Sequence, residues 1–232
     1  MTRAQEYRDA LLSLPVDRRP AYLTEHSGLP GPRANLELAQ VMAELADPPS
    51  IDALIATGDE YLVLCGVVGL GRLLADGAGE DVERRLHGHA GDARWRVHEA
   101  VAMALQRLGD GDPVRLLRLC ATWAGDPDPL VQRAAVAGVC EPRLLHVPDV
   151  ARAAVDLCDR LTTSLAARPP AERRRSDVRV LRQGLGYCWS VAVAGDPERG
   201  LPRFLALASS SDRDVAWIVR ENRRKARLAR LL

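Results

Sequence analysis

The sequence repeats itself with a period of about 34 residues, and this period constrains the fold more than any other feature. A Gly-Asp pair begins at positions 58, 91 and 125, and a small residue follows eight or nine positions later, at Gly66, Ala100 and Ala134. A single helical segment of this length cannot bury its own apolar face, so chains with this period stack one segment on the next. The sequence therefore predicts an array of two-helix repeats.

Apolar residues within the repeats recur at helical spacing, and no segment shows sustained alternation of apolar and polar residues. Each repeat opens with an aspartate, whose carboxylate can accept the unpaired amide hydrogens of a helix N-terminus. We therefore expect an all-α fold, a right-handed α-solenoid. Residues 1–57 are expected to form an N-terminal helical cap, continuous with the repeats of residues 58–232.

Composition narrows the class of protein. No apolar run of the 232 residues approaches the roughly 18 residues of a membrane span, and the first residues are charged throughout, unlike a signal peptide. The five cysteines contain no CxxC pair, which favours buried, reduced thiols. His87 and His89 are two positions apart and would point to different sides of a helix. We expect a cytoplasmic protein without a metal, a small-molecule cofactor or a membrane partner.

The net charge of +1 conceals an asymmetry along the chain. Residues 173–232 contain 14 basic and 6 acidic residues, a net charge of +8, so residues 1–172 carry −7. For the binding of a polyanionic partner, this uneven distribution of charge matters more than the total net charge of the chain. Lys225 is the only lysine, and an arginine bias this strong can also arise from genome base composition.

The sequence lacks the common catalytic motifs: GxSxG, the Walker sequence, HExxH and a GxGxxG that opens a helix. Gly66 to Gly71 is glycine-rich, but it falls inside a hydrophobic helical pattern. We interpret it as a site of close helix packing rather than of phosphate binding.

Two stretches resemble a known family. The repeats that begin with aspartate look like HEAT repeats, whose second helices line a concave surface. Residues 123–145, WAGDPDPLVQRAAVAGVCEPRLL, resemble the HEAT-like proteins of the DNA alkylation repair superfamily, and so does the C-terminal DRDVAWIVRENRRKARL at 212–228. The resemblance covers about residues 58–232.

In the alkylpurine DNA glycosylases of that superfamily, tryptophans and an acidic residue line a basic groove that holds damaged DNA. The family spacing Trp-x-x-x-Asp is matched by Trp95 and Glu99, with glutamate in place of aspartate. The resemblance implies that Glu99 could stabilise the cationic sugar as an altered base departs, and that Trp189 could be a second wall. The alternatives are that both tryptophans pack between repeats and that Glu99 pairs with an arginine such as Arg96.

Arginines recur at corresponding positions of successive repeats, and a row of them along one face would follow a phosphate backbone. The alternative is a solvated face with salt bridges to the aspartates of adjacent repeats. The residues predicted to bind a nucleic acid or another partner are Trp95, Arg96, Arg133, Arg179, Arg182, Trp189, Arg220 and Arg223.

Three functions follow from these patterns. The first is a HEAT-repeat binding protein that presents a concave, partly basic groove to a macromolecular partner, DNA or protein. The second is a DNA glycosylase or lesion-binding protein of the alkylation repair type, with Glu99 as its catalytic residue. The third is a scaffold for subunit assembly, which would have a stable protein partner and no affinity for DNA.

Overall fold

The computed structural model describes residues 1–232, and all of its regular elements are helical. The all-α prediction is confirmed. Three short 3-10 helices lie at Val16–Arg18, Pro142–Leu144 and Glu172–Arg174. The α-helices are α1 (Arg3–Ser13), α2 (Arg19–Glu25), α3 (Leu36–Leu45), α4 (Pro48–Ala56), α5 (Glu60–Ala75), α6 (Glu80–Ala90), α7 (Trp95–Gly111), α8 (Pro113–Trp123), α9 (Pro129–Val139), α10 (Pro148–Ala167), α11 (Ser176–Gly195), α12 (Pro197–Leu207), α13 (Arg213–Arg223) and α14 (Ala226–Ala229).

The chain divides into two compact units. The first contains residues 1–111 and helices α1–α7, and the second contains residues 112–232 and helices α8–α14. The boundary expected after residue 57 lies inside the first unit, between α4 and α5, which pack against each other.

Helix α5 is the centre of the first unit, where it packs against α3, α4 and α7. Its glycines allow this close approach. A Cβ atom on Gly66 would lie 2.6 Å from Cγ1 of Ile55 in α4, and one on Gly71 would lie 2.4 Å from the Cα atom of Ala104 in α7. Atoms cannot approach so closely. The glycine-rich stretch is therefore a packing feature, as its sequence indicates.

Helix α11 is the centre of the second unit and packs against α9, α10, α12, α13 and α14. Its largest core residue, Trp189, is completely buried. The indole Nε1 donates a hydrogen bond of 2.9 Å to Oγ1 of Thr162, and the ring lies beside Phe204 with 5.8 Å between centroids. The only polar atom of the indole thus has a partner, as burial requires.

Asn222 joins α13 to the backbone of α11. The side chain is completely buried. Its oxygen accepts the amide hydrogen of Ser190 at 2.8 Å, while its nitrogen donates to the carbonyl oxygens of Leu185 at 2.9 Å and of Ile218 at 2.8 Å. The side chain therefore makes two hydrogen bonds to α11 and one within α13, and the former two fix the position of α13 on α11.

The repeat is visible in local hydrogen bonding. The Asp92 carboxylate accepts the backbone amide two residues later at 2.8 Å, and Asp126, 34 positions on, does the same at the same distance. The ring nitrogen Nε2 of His98 bonds to the carbonyl oxygen of Asp92, and Nε2 of Gln132 bonds to that of Asp126 at 2.7 Å. The Gly-Asp pairs at 91 and 125 therefore form the same turn before α7 and α9.

The predicted aspartate caps are found at two helices and displaced at another. Asp59 caps α5 and Asp212 caps α13 through their side-chain oxygens. At α9 the cap is Asp128, two residues after the Asp126 of the Gly-Asp pair. The earlier aspartate instead shapes the turn that leads into the helix.

Candidate functional site

An open cleft of about 1180 Å³ lies in the second unit, between the segment that joins α10 to α11 and the first half of α13. Asp212, Asp214 and Trp217 contribute to its lining. In the lining of the cleft, arginine side chains outnumber aspartate side chains by four. The arginines that line the cleft are Arg173, Arg174, Arg179, Arg182, Arg213 and Arg220.

Arg173 holds the two sides of the cleft together. Its Nη1 atom lies 2.5 Å from Oδ2 of Asp212 and 3.5 Å from Oδ2 of Asp214. The same guanidinium donates from Nε to the carbonyl oxygen of Arg168 at 2.7 Å and from Nη2 to that of Ala166. All of its nitrogen atoms are thus engaged within the protein, so Arg173 shapes the cleft and its charge is already paired.

The carboxylate of Asp212 is ionised at neutral pH. Burial tends to raise the pKa of Asp212, but hydrogen bonds from Arg173 and from two backbone amides outweigh burial and hold that pKa below its ordinary value. The same contacts raise the pKa of Arg173. The ion pair therefore persists at neutral pH.

Arg182 is held by a carboxylate and by an aromatic ring. Its Nη1 atom lies 2.5 Å from Oδ1 of Asp214, and its guanidinium carbon lies 4.8 Å from the ring centroid of Trp217. The edge of that indole contacts Gly186, because a Cβ atom there would lie 2.7 Å from Cζ3 of the ring. Asp214 and Trp217 thus fix the guanidinium at the wall of the cleft.

The remaining cations of the cleft have little internal compensation. Arg174, Arg179 and Arg213 form no salt bridge within 4 Å, and Arg220 only approaches Glu221, at 3.8 Å. The charge available to a partner therefore comes from these four arginines, since Arg173 and Arg182 are paired with the aspartates.

A second hollow of about 440 Å³ adjoins the cleft. It shares Ala216 and Arg220 with the cleft. Val219 lies in its lining and three arginines surround it. The complete lining is Ala208, Ala216, Val219, Arg220, Arg223 and Arg224.

Four of the predicted binding residues come together in this part of the second unit. Arg179, Arg182 and Arg220 line the cleft, and Arg223 lies in the second hollow. They differ in availability. Arg182 forms a salt bridge with Asp214, in line with the alternative interpretation of the arginines, whereas Arg179 forms no salt bridge.

Two predicted binding residues are core residues instead. Trp189 is completely buried by its packing on Phe204, so its ring cannot form a wall for a partner. Arg133 has only 7% of its surface exposed, and its stem lies against Gly184 of α11. Trp189 lies in α11, the central helix of the second unit, and Arg133 lies in α9, which packs against α11.

The remaining predicted residues lie in the first unit. Trp95 is the first residue of α7 and is 51% exposed, and Glu99 follows one turn later and is half-buried. Arg96 has two partners of its own in this unit. It forms a salt bridge of 3.1 Å with Glu60 and donates to the carbonyl oxygen of Gly31 at 3.3 Å.

Sequence reasoning missed four residues of the cleft: Arg173, Arg174, Arg213 and Trp217. The run of arginines at 173–175 follows Pro169-Pro170, a local pattern typical of a connecting segment, which gives no sign of its contact with α13. Arg213 could have been found, because it precedes Arg220 by two helical turns and lies opposite the apolar residues of α13.

Other features of the chain point to no further chemistry. The five cysteines are buried and form no disulfide, and burial raises the pKa of Cys65 and of Cys120. No group of three or more His, Cys, Asp or Glu residues is placed to hold a metal ion. No helix has the length and apolar character needed to cross a membrane.

The end of the chain carries a separate aromatic contact. Tyr187 is exposed on α11, and the cations of Lys225 and Arg227 lie 5.6 and 5.0 Å from its ring centroid. Arg227 also donates to the phenol oxygen at 3.0 Å. These contacts place the segment after α13 on the surface of α11.

Comparisons of the chain with known protein families, with curated proteins and with solved structures found no match.

Proposed function

We propose that the chain is a binding protein whose second unit receives the phosphate backbone of a nucleic acid, DNA foremost, in the arginine-lined cleft. The observation that carries the proposal is the separation of the arginines into two groups. Arg173 and Arg182 are paired with aspartates and build the wall. Arg174, Arg179, Arg213 and Arg220 face the cleft with little internal compensation and can pair with phosphates.

The fold proposed for this function is the HEAT-like solenoid. Support comes from the identical turns at Asp92 and Asp126, which repeat after 34 residues. The buried, reduced cysteines support the expected cytoplasmic location.

The salt dependence of DNA binding tests the proposal. Each phosphate contact contributes about −0.9 to the slope of log K against log salt, so four contacts predict a slope between about −3 and −4. Arg179→Gln should weaken binding and make the slope less steep by about one contact. Arg152→Gln is the matched control, because Arg152 is half-exposed and pairs with Asp149 on α10, away from the cleft.

The measurement is fluorescence anisotropy with labelled DNA at several salt concentrations. Binding that is lost equally in both variants would mean that net charge, and not the cleft, determines affinity. An absence of binding at the lowest salt concentration would refute the proposal and direct the search to a protein partner.

A second candidate function, base removal from alkylated DNA, is favoured by the placement of Trp95 and Glu99. The indole is exposed, and the carboxylate follows one turn later on the same face of α7. Release of an alkylated base that is abolished by Glu99→Gln, with DNA binding retained, would establish this activity. If both proteins release no base, the protein binds DNA without catalysis.

A further inference from the structure

Helix α13 forms a ridge between the cleft and the second hollow. Ala216 and Arg220 line both cavities, so they lie at or near its crest. At 3.6 residues per turn, Asp214 and Trp217 fall on the flank that faces the cleft, and Val219 lies on the other flank. The exposed crest is opposite the apolar face with which α13 packs on α11.

Arginines border the ridge on both sides, and the one carboxylate on its cleft flank, that of Asp214, is paired with Arg182. Arg174 and Arg179 face the ridge across the cleft, and Arg223 and Arg224 border the second hollow. The crest itself carries Arg213 and Arg220, with the small side chain of Ala216 between them. Two turns separate Arg213 from Arg220, about 10.5 Å along the axis, or about three base pairs of B-form DNA.

We infer that α13 docks in the major groove of B-form duplex DNA, with the backbone of one strand in the cleft and that of the other in the second hollow. This inference rests on the proposed function and specifies its partner. The major groove, about 12 Å wide, admits an α-helix. Positive charge on each flank then meets a phosphate backbone on each side.

The other nucleic acids fit this arrangement less well. The major groove of A-form RNA is deep and too narrow for side chains to enter, so a duplex of RNA would meet the crest of α13 at its surface only. A single strand has one backbone and can fill only one of the two hollows. B-form DNA is the nucleic acid that uses both flanks and the crest together.

Two of the crest residues, Arg220 and Ala216, have distinct tasks in this arrangement. With α13 in the groove, Arg220 faces base edges instead of a phosphate and can donate two hydrogen bonds to the O6 and N7 atoms of a guanine. Ala216 leaves room for the helix to approach the base edges, and its methyl group can contact a thymine methyl. The flanking arginines contact phosphates and carry no sequence preference.

The first experiment compares three probes of equal length and sequence: duplex DNA, duplex RNA and single-stranded DNA, all by anisotropy at one salt concentration. Duplex DNA should bind at least about tenfold more tightly than the other two. Equal affinity for all three would overturn the docking of α13 but leave the cleft as a polyanion site. No binding of any probe at low salt would refute the proposed function itself.

The second experiment uses variants on duplex DNA. Ala216→Leu adds bulk at the crest with no change of charge, and we expect about a tenfold loss of affinity for duplex DNA and little change for the single strand. Ala206→Leu, at an exposed position of α12 outside both cavities, is the control. An unchanged duplex affinity in Ala216→Leu would contradict the docking of this crest.

A sequence-randomised duplex library separates base readout from phosphate contact. Arg220→Gln should flatten the preference for guanine at one position, whereas Arg174→Gln should lower affinity by a similar factor for every sequence. If Arg220→Gln also lowers all affinities uniformly, the arginine contacts phosphate and the base readout is wrong.

Discussion

Asp214→Asn should strengthen DNA binding while it weakens the fold. Asp214 is an acidic residue in a basic cleft, and its carboxylate lies 2.5 Å from Arg182 and 3.5 Å from Arg173. Asparagine has nearly the same shape but no charge. The substitution therefore removes a competitor of the DNA phosphates and leaves the guanidinium of Arg182 at the cleft wall, stacked on Trp217.

The magnitudes follow from these contacts. One additional phosphate contact makes the salt slope steeper by about 0.9 and raises affinity on the order of fivefold at 0.1 M salt. The pair of Asp214 and Arg182 is mostly shielded, with 16% and 25% of the side chains exposed. Its loss should therefore cost about 1–2 kcal/mol of unfolding free energy, between the values of a surface pair and a buried one.

The control is Asp156→Asn. Asp156 also pairs with two arginines of the second unit, Arg199 and Arg203, but none of the three lines the cleft. Both variants raise the net charge by the same amount, so the control measures the effect of total charge. Affinity and salt slope are measured by anisotropy, and stability by urea unfolding.

A result in which Asp214→Asn and Asp156→Asn change affinity equally would refute the reasoning, because the position of the carboxylate would then be irrelevant. Weaker binding by a folded Asp214→Asn protein would show that the aspartate orients Arg182 for the partner and does not compete with it.

Three further predictions concern the framework. Gly71→Ala should destabilise the protein by about 2–3 kcal/mol, because the new Cβ atom collides with the backbone of α7. Gly88→Ala, whose Cβ atom meets open space on α6, should instead stabilise the protein by about 0.5–1 kcal/mol. Thermal unfolding of the two variants should therefore show a lower melting temperature for the first and a higher one for the second. Asn222→Ala removes three buried hydrogen bonds and should cost about 3 kcal/mol in urea unfolding, against less than about 0.5 for its exposed neighbour in Arg223→Ala. A hydrogen bond from the Arg94 guanidinium is the main cause that lowers the pKa of Asp92 to about 2, so the stabilisation by this carboxylate is complete above pH 5 and is lost as the pH falls from about 4 to 2. Asp92→Asn should remove about 1 kcal/mol of this dependence of stability on acid, allowing for solvent screening. An unaltered stability profile between pH 5 and 2 would contradict the assignment.

The sequence predicted those parts of the fold that depend on local patterns. Helical spacing located the helices, and the small residues on α5 indicated a close approach that Gly71 and Ala104 make. Aspartate caps were recognised because their effect reaches only two or three residues along the chain. The turns at Asp92 and Asp126 show that the repeat in sequence has a counterpart in hydrogen bonding.

The site depends on contacts between distant residues, and these are poorly encoded in local patterns. Arg173 and Asp212 are 39 positions apart, and nothing near either residue indicates that they meet. Helical spacing also fails to separate Trp189, which is buried, from Trp95, which is exposed, since both occur in apolar helical contexts. Charge alone likewise could not distinguish the arginines that build the cleft from those left for a partner.

The preference for arginine gives the protein a practical property. Lys225 is the only lysine in the chain, and it lies beside Tyr187 at the end of α13. A dye that reacts with primary amines can therefore attach to only one side chain, with the N-terminus as the other amine. Treated with such a dye at alkaline pH, the chain would carry one fluorophore next to the ridge and one at its N-terminus, and the former could report occupancy without any engineered residue.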